Sequence, residues 1–125
     1  MYPRLVVDLK KLRSNLDACA KIVKEDGGCS LMIVTKGLCA DPEMARMVAD
    51  HPAVEFMADS RVANIKTYAD EARAKGKKTV LLRLPMACET AEVVKYVDLS
   101  FNSELATIRL LNEEAGKIGV KHNIL

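Results

Sequence analysis

Apolar residues along the chain repeat in two alternating ways. Leu31-Met32-Ile33-Val34-Thr35, Val54 to Ala58, Thr79 to Leu84, Val97 to Phe101 and Val120 to Leu125 are short runs rich in β-branched and aliphatic residues, the length of strands. Between them apolar positions recur every three or four residues, as on one face of a helix. Such faces are Leu9, Leu12, Leu16, Cys19, Ala20 and Val23; the stretch from Asp41-Pro42 to about His51-Pro52; Val62, Ile65, Ala69 and Ala72; a short piece at Glu92 to Lys95; and Leu105, Ile108, Leu111, Ala115 and Ile118. Leu5 to Leu9 alternates and reads as an opening strand.

The residues between the runs agree with that division. Asp8 is the expected N-cap of the first helix, and Gly27-Gly28 closes it. Asp41 offers a side-chain acceptor and Pro42 fits a first turn, while Pro85 stops the third strand. Asn102 or Ser103 is the expected cap of the last helix, which Gly119 ends.

Strands beginning near positions 31, 54, 79, 97 and 121 alternate with helices, the pattern of successive right-handed βαβ units and a parallel sheet. The fold class is therefore α/β, in one of two architectures: an open, doubly wound domain of five strands, or an incomplete (β/α)8 TIM-barrel type. A closed barrel needs about 250 residues, and this chain has 125. Ile124-Leu125 has no following helix to cover it, and periodicity alone does not separate a complete five-stranded domain from the first strands of a barrel. No linker, low-complexity segment or second domain interrupts the pattern.

Composition narrows the function. The formal charge is +2, with Lys and Arg scattered among Asp and Glu, so no basic stripe tracks a phosphate backbone. The aromatics Tyr2, Phe56, Tyr68, Tyr96 and Phe101 are isolated from one another, and nucleic acid is not an expected partner. Neither a signal-peptide core nor an 18-residue apolar span occurs, which predicts no membrane segment and a cytoplasmic protein with reduced thiols. Cys19, Cys29, Cys39 and Cys88 form no C-x-x-C pair, and only His51 and His122 could join them, so no metal site is expected. Phosphate-loop, dinucleotide-binding, nucleophile-elbow and zinc-helix motifs are missing from the sequence.

In both architectures function sits at the carboxyl ends of the strands. Lys36, Ala58-Asp59-Ser60-Arg61, Arg83-Leu84-Pro85 and Asn102-Ser103 occupy those ends. Lys36 reads either as a rim lysine reaching into water or as a partly desolvated amine available to an aldehyde. Arg83 follows the apolar run Val80-Leu81-Leu82 and needs an anion, either a carboxylate such as Asp59 or Glu104 or a ligand. Asn102 and Ser103 read as helix caps or as hydrogen-bond donors to a ligand, and Asp59 and Ser60 carry the same two readings.

The segment ending Ile33-Val34-Thr35-Lys36 resembles the one that holds the cofactor lysine in the alanine racemase-like, fold type III family of pyridoxal-phosphate enzymes. The run from Leu5 to Asn15 resembles that family's opening strand and helix, and Val97-Asp98-Leu99-Ser100-Phe101-Asn102-Ser103 resembles its D-L-S-x-x-S strand end. Ala58-Asp59-Ser60-Arg61 together with Leu81-Leu82-Arg83-Leu84-Pro85-Met86 looks most like the ornithine racemase branch. Alanine racemases follow the lysine with Tyr and His, where this chain has Gly37-Leu38-Cys39-Ala40-Asp41, which points away from alanine as substrate.

The resemblance implies an isomerase that interconverts L- and D-amino acids, with pyridoxal 5'-phosphate held as a Schiff base on Lys36. Lys36 would then be base or acid on one face of the substrate. Asn102, Ser103 and Arg83 are further candidates for cofactor contact. Residues 1–125 would be a truncated N-terminal barrel domain, inactive alone, with the second base and most phosphate-binding backbone beyond it. A homo-oligomer is an expectation of the family alone. Two other readings stay open: a non-catalytic pyridoxal-phosphate homeostasis protein of the same fold, and a small α/β binding module.

Overall fold

A computed structural model describes residues 2–125. Its elements run α1 (Leu9–Ala20), β1 (Leu31–Val34), α2 (Pro42–Asp50), β2 (Val54–Asp59), α3 (Val62–Ala74), β3 (Lys78–Leu81), α4 (Thr90–Tyr96), β4 (Leu99–Ser100), α5 (Leu105–Ile118) and β5 (Asn123–Ile124). The five strands form one parallel sheet in the order β1-β2-β3-β4-β5. A doubly wound sheet reverses its strand order at a switch point, whereas this one never does. The right-handed crossovers that such parallel units take put α2 to α5 on the same face, which is the construction of a (β/α) barrel wall.

The register sorts the strand residues. Met57 and Thr79 are paired, as are Asp59, Leu81 and Ser100, and these rows face the helices. Met57 and Leu81 are fully buried with Ile65, Tyr68 and Ala69 of α3, Val93 of α4 and Leu111 of α5. Each of the large side chains contributes roughly 1.5–3 kcal/mol by leaving water. The opposite row runs Val34, Ala58, Val80, Leu99, Asn123. Ala58 and Val80 in its middle are buried, whereas Val34 at one end is 43% exposed.

Local chemistry sets the element ends. Asp8 accepts from the Lys10 and Lys11 amides, and Asp41 from those of Glu43 and Met44, with Pro42 in the first turn of α2. After Ala20 the first helix widens into π turns over Lys21–Asp26 and stops at Gly27, where a Cβ would lie 2.9 Å from the Val23 carbonyl oxygen. Gly119 closes α5 at φ 69°, in the left-handed region that costs glycine least. Buried His51 ties α1 to the turn before β2: its Nε2 lies 2.9 Å from Asp17 Oδ1, and its Nδ1 accepts from the Ala53 amide at 3.2 Å.

Four expectations are corrected. Leu5 to Leu9 is not a strand: residues 2–8 have no regular structure, and Leu5 and Val6 are exposed because no backbone pairs with them among the described residues. The third strand ends at Leu81, not Leu84, so Arg83 lies on the bend beyond it. The fourth and fifth strands shrink to two residues each. The N-cap of α5 is Glu104, without a side-chain cap bond, because the Asn102 amide is turned back onto Ser100.

Candidate functional site

The carboxyl rim begins where β1 runs out. Thr35 leaves the sheet with its amide still donating to the Ala58 carbonyl at 2.8 Å, and Lys36 opens a 3-10 turn, Lys36–Leu38. Lys36 is exposed, and its amine has no ion-pair or hydrogen-bond partner among the described residues. The rim-lysine geometry therefore holds, with a fixed base and a free tip. The chain then turns through Cys39 at φ 52° and Ala40 at φ 53°. Two consecutive non-glycine residues in the left-handed region cost roughly 1–2 kcal/mol each. Hydrogen bonds from Ala40 to the Thr35 carbonyl (3.2 Å) and from Asp41 to the Leu38 carbonyl (3.1 Å) hold them there. Strain of this kind collects at functional loops.

Behind Lys36 lies a buried polar cluster. Asp59 ends β2 and is fully buried, accepting the Arg61 amide at 2.9 Å and Asn64 Nδ2 at 3.1 and 3.2 Å. Thr35 Oγ1 donates to Asp59 Oδ2 at 2.9 Å, and the Tyr68 hydroxyl is 3.3 Å from the same Oγ1. Burial pushes the Tyr68 phenol up to about 12, and the Asp59 carboxylate adds to that rise. Asp59 was legible as a rim residue. Thr35, Asn64 and Tyr68 were missed as its partners, and the parallel register of β1 on β2 is the signal that brings Thr35 to it.

Arg83 and Asn102 are placed differently. Arg83 pairs with neither Asp59 nor Glu104: its guanidinium meets the Glu89 carboxylate in a two-pronged pair, with Nη2 at 2.9 Å from Oε2. Its Nε donates to the Ser60 carbonyl at 2.6 Å and Nη1 to that of Leu84 at 2.9 Å, so it clips the β2–α3 loop to the β3–α4 loop. Hydrogen bonding to Glu89 raises the Arg83 pKa, and hydrogen bonding to Arg83 lowers that of Glu89. Ser103 is exposed. Asn102 is half-buried, and its Oδ1 is a buried acceptor with no partner among the described residues.

Sheet order and rim together define the wall of a (β/α) barrel with a free amine at the end of its first strand. The chain is similar to two proteins named as amino-acid racemases. It is 41% identical to an ornithine racemase of Acetoanaerobium sticklandii over 125 residues, all of this chain and 34% of that protein. A lysine racemase of Thermotoga maritima is 28% identical over 113 residues, 90% of this chain and 31% of that protein. The chain thus spans about a third of the length of these curated relatives. No family model matches it, and no solved structure matches it. No helix among the described residues is long and apolar enough to cross a membrane.

Proposed function

We propose that residues 1–125 form the N-terminal barrel segment of a pyridoxal 5'-phosphate-dependent amino-acid racemase acting on ornithine or a similar amino acid, with Lys36 as the cofactor lysine. The observation that carries this reading is the match, across the whole chain, to a protein named ornithine racemase. The local chemistry supports it. Lys36 offers an exposed amine without a partner among the described residues, beside a loop strained at Cys39 and Ala40. Asn102 Oδ1 is a buried acceptor without a donor among the described residues, at the end of β4. Both fit an aldehyde-bearing, polar aromatic ligand.

When bound, pyridoxal phosphate supplies an electron sink for the pair left as an α-proton departs. Lys36 would hold the group through its Nζ and would take or return the proton on one face of the substrate. Asn102 and Ser103 would line the same rim. Arg83 would act at one remove, since most of its donors are already spent on Glu89, Ser60 and Leu84. A cytoplasmic setting accords with four exposed free cysteines, which stay reduced there.

The test follows the optical rotation of L-ornithine with the whole protein. Racemisation is expected, and Lys36→Ala is expected to bring it to background. Mixing the protein with pyridoxal phosphate, reducing with borohydride and mapping the adduct by peptide mass spectrometry gives a readout apart from turnover. One stoichiometric adduct at Lys36 is expected, and labelling spread over the surface lysines would overturn the assignment.

A further inference from the structure

We propose that Asp59 and Thr35 form a clamp that sets the position of Lys36, with Asp59 the positioning residue acting through Thr35. The proposal deepens the reading of Lys36 as the cofactor lysine and rests on it.

Asp59 has more in it than a helix cap requires. It accepts the Arg61 amide ahead of α3, a task for which an asparagine or serine would serve. The two other aspartates that cap helices in this chain, Asp8 and Asp41, are both exposed, as such caps commonly are. Asp59 is fully buried, and no cation lies within ion-pair distance of it among the described residues. Taking a carboxylate out of water without a counter-charge is expensive, so its remaining hydrogen bonds carry weight. The cap takes Oδ1; Oδ2 reaches across the sheet to Thr35 Oγ1.

Thr35 is the residue before Lys36, and each of its polar groups is fixed. Its amide donates to the Ala58 carbonyl at 2.8 Å. Its hydroxyl has one proton and three acceptors in reach: Asp59 Oδ2 at 2.9 Å, the Ala58 carbonyl at 3.2 Å and the Tyr68 oxygen at 3.3 Å. The carboxylate is the nearest and the strongest, so the proton goes there. The Thr35 carbonyl accepts from Ala40 at 3.2 Å, which also fastens the strained return of the loop. The peptide that carries Lys36 is therefore held from the sheet side and from the loop side. Tyr68, neutral at working pH, closes the cluster from α3 without adding a charge.

A reactive amine gains from a fixed base, since a small misplacement of the reacting atom costs much of the rate. A purely structural cluster would instead change melting when altered and leave the selectivity of Lys36 untouched. The discriminating variant is Thr35→Val, which keeps the shape and deletes the hydroxyl. In the borohydride experiment the rate of labelling at Lys36, relative to the other lysines of the same molecule, is expected to fall about tenfold, the scale of one hydrogen bond to a charged group. Thr35→Ser is expected to restore it. An unchanged ratio in Thr35→Val overturns the clamp, and so does a fall that Thr35→Ser leaves uncorrected.

Amide exchange supplies the second measurement. Cys39 and Ala40 donate to the Lys36 and Thr35 carbonyls, so their exchange is expected to quicken in Thr35→Val and recover in Thr35→Ser. Should pyridoxal phosphate single out no lysine in the unaltered protein, the cofactor reading falls, and exchange alone then decides the clamp. Exchange indifferent to the hydroxyl would overturn it.

Discussion

The two ends of the sheet are built from the same materials and hold differently. Where β1 meets β2, the ladder runs over four paired positions, and the polar cluster of Thr35, Asp59 and Asn64 is satisfied by its own members. Where β4 meets β5, the ladder has two paired positions, and both residues of β5 are exposed. There Ser100 Oγ lies 2.8 Å from His122 Nε2 and accepts from Asn102 Nδ2 at 3.0 Å, while Asn102 Oδ1 and His122 Nδ1 have no partner in hydrogen-bond geometry among the described residues. A buried polar network stiffens its surroundings when every member is satisfied and weakens them when some are not. The first end backs its network with Met57, Ile65 and Tyr68 and can hold a lysine still; the second depends on a few polar contacts.

The largest effect that could break this comparison is in the core behind the first end. Met57→Ala removes a fully buried side chain and is expected to cost about 2–5 kcal/mol. Ile124→Ala, at a side chain 43% exposed on β5, is expected to cost less than about 1 kcal/mol. Urea denaturation of the two variants checks both figures. Equal losses would mean that β5 is as deeply built into the structure as β2.

The clip between the two ends comes next. Glu89 is largely buried and accepts both the Arg83 guanidinium and the Met86 amide. Glu89→Gln is expected to cost about 1–2 kcal/mol, discounted for the partial exposure of Arg83. The arginine holds the folded-state pKa of Glu89 below its ordinary 4.5. The pair's contribution is therefore complete above 4.5 and is lost as pH falls through the lowered value. Melting curves of the unaltered protein and of Glu89→Gln should differ near neutrality and converge in acid; a constant gap across that range would show that the pair's charge is irrelevant.

How much of this was legible depended on range. The caps Asp8 and Asp41 were readable because their partners lie two and three residues away. Lys36 was readable because the apolar run before it fixes where β1 ends. The cluster behind it was not: Thr35 lies 24 residues from Asp59 and 33 from Tyr68, and only the strand register joins them. Leu5 to Leu9 failed for a related reason, since alternation specifies a face but not a pairing partner. Arg83 was rightly seen to need an anion, yet Glu89 was overlooked because it sits on a 3-10 turn, Ala87–Glu89, that apolar periodicity does not reveal.

The smallest effect is also the most local. Burial lowers the His122 pKa below its ordinary 6.5, against weaker opposing pulls from the Val97 carbonyl and the Asp98 carboxylate. Because the folded value lies below the unfolded one, the unfolded chain binds the extra proton first as pH falls. The stability held by neutral His122 is therefore complete above about 6.5 and declines as pH drops through the lowered value. Protonation also changes the contact at Ser100: an imidazolium Nε2 can only donate, so the serine hydroxyl has to turn its own proton elsewhere while its oxygen takes both Nε2–H and the Asn102 amide. The loss should appear first in β5, where Leu125 donates to the Ser100 carbonyl at 3.0 Å and Asn102 to that of Leu125 at 2.7 Å. Amide exchange of Asn102 and Leu125, corrected for intrinsic rates, is expected to quicken between pH 7.5 and 5.5 while that of Met57 and Ala58 holds steady. His122→Gln should remove the pH dependence. If it persists in that variant, another group governs β5, and the contrast between the two ends no longer rests on this histidine.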